Sequence, residues 1–133
     1  MSQKLIAGLA AAGALAAALV PLTAAHADAR QAVRLYTAHA RLSRASGIET
    51  LQAYLTDGGG RYLAGKRIAF TSRHGHALCT GVTDRTGVAE CKADPRRTQA
   101  DPGEMMNGVR ATFAGDRTYR PATGTAPTDV IFP

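Results

Sequence analysis

His74 and His76 stand two residues apart. In an extended segment alternate side chains share a face, so both imidazoles could offer a nitrogen to one metal ion. A zinc-type site needs a third and a fourth ligand, and His39 and Cys79 are the remaining candidates. Cys79 has a better use as half of a disulfide, and His-Gly-His is tight-turn chemistry, so the two histidines are expected in a turn facing solvent. A minimal metal-dependent hydrolase using His74, His76 and an acid is the weaker alternative, because no ligand set or triad assembles around them in the sequence. The serines are Ser2, Ser43, Ser46 and Ser72, and none sits in a Gly-x-Ser-x-Gly elbow. Gly58-Gly59-Gly60 is not followed by Lys-Ser/Thr and makes no phosphate cradle. Asp57, Asp84, Asp101 and Asp116 fall where turns are expected, the usual place for an Asp that folds onto its own backbone. Paired carboxylates in one cleft, as glycoside cleavage requires, are not evident, nor is a twelve-residue calcium loop. No catalytic, cofactor-binding or metal-binding residue is therefore expected. The reading is of a non-enzyme without a cofactor.

The two cysteines, Cys79 and Cys91, suit a disulfide in an exported chain. An antiparallel hairpin that pairs them is centred on residue 85. The segment Asp84-Arg85-Thr86-Gly87 is an independent turn signal, with Asp at its start and Gly at its end. In that register Val82 faces Val88 and Cys79 faces Cys91. A directly opposed cross-strand pair brings Cα atoms to about 4.5 Å, within reach of a bridge. CxxC spacing is absent, which argues against redox or metal cysteines.

Export is read from residues 1–27. Lys4 precedes an uncharged run from Leu5 to Val20, Pro21 breaks it, and Ala25-His26-Ala27 has the small-x-small pattern of a cleavage site. This is the signature of a signal peptide cut after Ala27. The run is short and Ala-rich for a membrane span, so a membrane association is expected only through an uncleaved leader. The chain carries 16 Lys+Arg against 10 Asp+Glu, and 13 of the basic residues are Arg. They are scattered, without a basic run of five or interleaved aromatics, so nucleic acid is disfavoured as a partner. High Arg, Ala and Gly together also fit the codon bias of a GC-rich genome.

Beyond the leader, strand-like segments recur with turn signals every 8 to 12 residues, a rhythm that suggests a sandwich or barrel. Residues 33–37, 51–55, 66–71, 78–83, 88–92, 109–113 and 130–132 read as strands, and 93–108 as a long loop with Met residues capping the core edge. Seven strands in about 100 residues point to an all-β, two-sheet antiparallel sandwich in a single domain, 28–133.

Five segments in order then carry a family likeness: Leu63-Ala64-Gly65-Lys66-Arg67-Ile68-Ala69-Phe70, Leu78-Cys79-Thr80-Gly81-Val82-Thr83-Asp84, Thr86-Gly87-Val88-Ala89-Glu90-Cys91, Val109 to Asp116, and Tyr119 with Pro121-Ala122. Across residues 33–132 the chain resembles the bacterial Ig-like (immunoglobulin-like) repeat domains of exported proteins. The resemblance implies an Ig-like sandwich of about seven strands, a disulfide between adjacent strands, and Tyr119 packing over the core near the last turn. Such domains serve mainly as spacers, adhesin stalks and accessory modules, without catalysis of their own. Two departures are a single copy in place of a tandem array and a long 93–108 loop. Transthyretin-like modules share part of the motif, which leaves the sheet topology open.

The expectation is a secreted, non-catalytic interaction or accessory module of the cell envelope or extracellular space, with an exported hydrolase inhibitor presenting the 93–108 loop as the alternative. A monomer with a protein or cell-wall partner is expected. Recognition would fall to loops on the rigid sheets: 61–66, 73–76 and 96–107, with Arg61, Arg73, His74, His76, Arg96 and Arg97 as candidate contact residues. Mass spectrometry of the exported protein should read Asp28 as its first residue; an intact Met1 would contradict the leader.

Overall fold

Alternation of apolar and polar residues decides which side of each strand is buried. The computed structural model describes residues 29–98 and 102–131. The leader with its cleavage point at Ala27, together with Asp101 and Phe132, lies outside the described residues. Along β2 (Glu49–Asp57) every second residue from Glu49 to Leu55 is buried, and β3 (Arg67–Ser72) buries Ile68, Phe70 and Ser72 in the same rhythm. The remaining strands are β1 (Val33–Ser43), β4 (Ala77–Val82), β5 (Val88–Ala93), β6 (Val109–Phe113), β7 (Ala122–Ala126) and β8 (Asp129–Ile131). A four-residue helix, α1 (Pro102–Met105), lies between β5 and β6.

The strands form two four-stranded sheets, β5-β2-β1-β8 and β4-β3-β6-β7. All neighbours are antiparallel except β1 and β8, which run parallel through Arg41, Leu42 and Ser43. The inner faces meet in one core of Leu35, Leu42, Leu51, Leu55, Leu63, Ile68, Phe70, Leu78, Met105, Val109 and Phe113, with five alanines filling the narrower places. The aromatic contribution is small, since Tyr36 and Tyr54 stack on each other outside the core at 5.0 Å. Tyr119 is half-buried against the core, with the Lys66 ammonium 5.2 Å from its ring centroid.

Three expectations need correction. Among the described residues there are eight strands, one more than the seven segments read from the sequence: β7, Ala122-Thr-Gly-Thr-Ala126, alternates only small residues against threonine and carries little apolar signal. The 93–108 segment is not simply a loop. Its first residue ends β5, and α1 inserts Met105 fully into the core while Met106 stays exposed. The third correction concerns the disulfide. Cys79 is joined to Cys91, with Cα atoms 6.1 Å apart, but β4 and β5 belong to different sheets. β4 pairs with β3, placing Cys79 opposite Phe70, and β5 pairs with β2, placing Cys91 opposite Leu51. Val82 faces Arg67 and Val88 faces Tyr54, so the expected Val82–Val88 pair does not form. The physical reason is β2. Its interior residues are fully buried, so its backbone groups must be paired along both edges, and β5 supplies the edge that β1 does not. The bridge therefore crosses between the inner faces of the two sheets.

The turn itself forms as its residues require. Asp84 Oδ1 accepts the backbone N–H groups of Thr86 and Val88, and Gly87 takes a φ of 76°. At both edges the sheets approach closely enough to exclude a side chain. A Cβ on Gly81 would stand 2.8 Å from the Glu90 carbonyl oxygen, and one on Gly124 would stand 2.6 Å from that of Leu35. Gly124→Ala should therefore lower stability by roughly 2–4 kcal/mol in urea denaturation, whereas Gly58→Ala, in exposed space, should change it by less than about 0.5 kcal/mol. Equal effects would contradict the close edge. Replacing both cysteines by alanine should cost about 3 kcal/mol in the same assay.

Candidate functional site

Strand directions sort the connections to two ends of the sandwich. Turns 58–66, 83–87 and 114–121 share one end, and segments 44–48, 73–76, 94–98, 102–108 and 127–128 share the other. Arg61 thus lies at the opposite end from Arg73, His74, His76, Arg96 and Arg97. Its own turn is closed by Asp57, whose Oδ1 accepts the Arg61 N–H at 2.9 Å. The same end is tied by the Lys66–Asp116 ion pair at 2.6 Å, which holds the Asp116 carboxyl down at about 2.

The second end carries the polar cluster. Ser72, the last residue of β3, is fully buried. Its Oγ donates to Glu104 Oε1 at 2.6 Å and accepts the His76 backbone N–H at 3.1 Å. Gly75, with a φ of 92°, lets the chain reverse in this short span. His76 Nδ1 meets the same Glu104 oxygen at 2.5 Å. Hydrogen bonds from Ser72 and then from His76 hold the Glu104 carboxyl below its ordinary range. The acid that two nearby histidines call for is therefore Glu104, delivered by α1. In a hydrolytic relay the imidazole stands between hydroxyl and carboxylate and takes the hydroxyl proton. Here hydroxyl and imidazole converge on one carboxylate oxygen, and the hydroxyl is buried. This geometry orders loops and does not activate a nucleophile. His39 pairs with Gln52 in the β5-β2-β1-β8 sheet, not in the sheet whose strands flank His74 and His76, and Cys79 is bonded to Cys91, so neither candidate joins the two histidines. Among the described residues no group of three His, Cys, Asp or Glu is placed to hold a metal ion.

Two adjoining depressions open beside this cluster. One, of about 350 Å³, is lined by His74, His76, Glu104 and Asn107. The other, of about 480 Å³, is lined by Arg73, His74, Asn107 and Arg110. The two share His74 and Asn107. Arg96 stands apart from both, with its guanidinium forked onto Asp94 at 3.1 and 3.0 Å. Arg97 borders a separate hollow with Thr98 and residues of β3 and β4. Ser72 and Arg110 escaped the sequence reading, and Glu104 and Asn107 entered it only as part of the 96–107 loop. Ser72 and Arg110 follow strand alternation and look structural, and nothing in the sequence marks Glu104 as a neighbour of His76.

A buried contact holds α1 in place. Thr128 Oγ1 lies 2.8 Å from both the Met105 carbonyl oxygen and Glu49 Oε2. One hydroxyl proton serves one acceptor, so all three groups are satisfied when Glu49 is protonated and donates to Thr128, which donates to Met105. Glu49 is fully buried, and its Oε1 has no hydrogen-bond partner. Burial pushes its carboxyl up to about 7 from 4.5, partly offset by Thr128.

No family model matches the chain, and no curated protein matches it. Among solved structures it is similar to a bacterial immunoglobulin-like domain from the M. primoryensis ice-binding adhesin. That match has 13% identity and a TM-score of 0.52, and covers 76% of this chain and 99% of the other. The fold is therefore that of a bacterial Ig-like domain, an all-β sandwich.

Because the folded chain keeps the Glu49 proton to higher pH than the unfolded chain does, this group's contribution is complete below about pH 4.5. It is lost as pH rises through 7, by about 3 kcal/mol at the limit. Denaturation of Glu49→Gln should show that decline removed between pH 5 and 8. A decline equal to that of the parent protein would refute a buried, protonated Glu49.

Proposed function

We propose that this chain is an exported, non-catalytic Ig-like module that contacts a partner in the cell envelope or extracellular space through the end of the sandwich bearing segments 73–76 and 102–110. The observation that carries this reading is the convergence of two chain segments, 32 residues apart at the Ser72–Glu104 bond, into one ordered polar surface that remains open to solvent. A disulfide supports an oxidising compartment, and the leader expected in residues 1–27 agrees with it. The solved neighbour comes from an adhesin, which is in keeping with a role in contact at a surface. The 102–108 segment is tied inward through Ser72, His76 and Thr128. A segment tied in this way suits a rigid contact face better than an inhibitory loop that inserts into an enzyme.

Purified mature protein should be retained by a cell-wall or envelope fraction in a pull-down. Arg73→Glu should abolish most of that retention, while Arg61→Glu at the far end should leave it intact. Retention by no fraction, or equal loss from both substitutions, would overturn the proposal.

A further inference from the structure

We propose that the depression between Arg73 and Arg110 is a binding site for a tetrahedral oxyanion, phosphate or sulfate, carried on the partner. This inference rests on the reading of that end as the contact surface and names what the surface recognises.

Arg73 and Arg110 line one hollow of about 480 Å³ together with His74 and Asn107. Among the described residues neither arginine makes an ion pair; of the acids at this end, Glu104 pairs with His76 and Asp94 with Arg96. Two like charges around a shared hollow repel each other, and a bound anion reverses the sign of that interaction. Both arginines are also placed by the fold. The stem of Arg73 lies over Gly108, its Cδ 3.3 Å from where a Cβ would stand. Gly108 has a φ of 100°, so glycine both permits the backbone turn and leaves room for the arginine. Arg110 projects from the exposed face of β6, with Thr71 of β3 on one side and Thr125 of β7 on the other. The Asn107 backbone N–H donates to the Glu104 carbonyl at 3.1 Å, which fixes the residue just after α1, where it lines the hollow.

Glu104 borders the adjoining hollow, and its accepting oxygen is already engaged by Ser72 and His76. The donor inventory selects the shape of the anion. Two guanidinium forks, a carboxamide NH₂ and an imidazole N–H exceed what the two oxygens of a carboxylate can accept, and they match the three or four oxygens of a phosphate or sulfate group. Arginine in place of lysine at both positions favours forked, directional contacts with such a group.

The test is titration of ¹⁵N-labelled mature protein with sodium phosphate, sodium sulfate and sodium acetate at low ionic strength, where exposed charges are least screened. Phosphate or sulfate should shift the amides of residues 73, 74, 107 and 110 and bind at least about fivefold more tightly than acetate. Arg73→Gln and Arg110→Gln should each weaken binding roughly tenfold. Glycerol phosphate and a sulfated monosaccharide, titrated in parallel, tell which of the two groups the partner carries. Shifts spread over both ends of the sandwich, acetate binding as tightly as phosphate, or unchanged affinity in both glutamine variants would overturn the site. Envelope retention that persists in the parent protein and is lost in Arg73→Glu, without any oxyanion binding, would remove this inference and leave the contact surface standing. Absence of retention as well would remove both.

Discussion

The structure depends on how its two sheets close at their edges. Each sheet has one apolar face, and the core between them is built from medium aliphatic side chains and five alanines, with Phe70 and Phe113 as the buried aromatic rings among the described residues. Such a core has modest apolar area for a domain of this size, and the edges must keep water out with little side-chain bulk to do it. The chain solves this by backbone approach. Gly81 lets β4 lie against β5, and Gly124 lets β7 lie against β1. The Cys79–Cys91 bridge then makes the first of these edges covalent, beside Gly81. A covalent link across the sandwich limits how far the unfolded chain can expand, which matters most where burial alone leaves little margin.

The polar end is a consequence of the same closure. Ser72 and Arg110 pair with other residues of one sheet, Glu49 belongs to the opposite sheet, and Thr128 lies on the short crossing from β7 to β8. α1 spans the gap between the sheets at this end, with Met105 in the core and Glu104 turned to Ser72 and His76. A buried carboxyl group at Glu49 is a costly way to hold a helix of four residues, since its second oxygen has no partner. The gain is placement: Thr128 links the helix to both sheets, and Glu104 and Asn107 are presented from a fixed position beside the 73–76 turn. The opposite end achieves order by exposed turns and the Lys66–Asp116 pair. There Lys66 from one turn meets Asp116 and Tyr119 from another.

Local chemistry was the most legible part of the sequence. Alternation at Leu51-Ala53-Leu55 and at Ile68-Phe70 located the central strands, and the Asp84 and Gly87 pattern located a turn whose hydrogen bonds are those expected. Cys79 and Cys91 were correctly matched as a pair, since an exported chain with two cysteines and a turn between them favours one bridge. Their sheet membership was not legible. It follows from the demand of β2 for a second ladder, a property of burial in three dimensions and not of the 79–91 segment. β7 was missed for a different reason. Its inward residues are Ala122, Gly124 and Ala126, small because β1 is so close, so the feature that fits the strand to its place also hides it from a hydrophobicity pattern. At the candidate site the turn histidines and Arg73 were visible, whereas Glu104 is brought to them only by the long connection after β5. Arg61 was named beside them as a loop residue, and chain direction sends its loop to the other end.

Sheet membership of β4 and β5 is the point on which edge closure, the role of the disulfide and the placement of the polar end all turn. Long-range amide and Hα contacts in solution NMR read it directly. The account predicts contacts of Cys91 with Leu51 and of Cys79 with Phe70, each within its own ladder. A continuous β4–β5 ladder with Val82 opposite Val88 would contradict it.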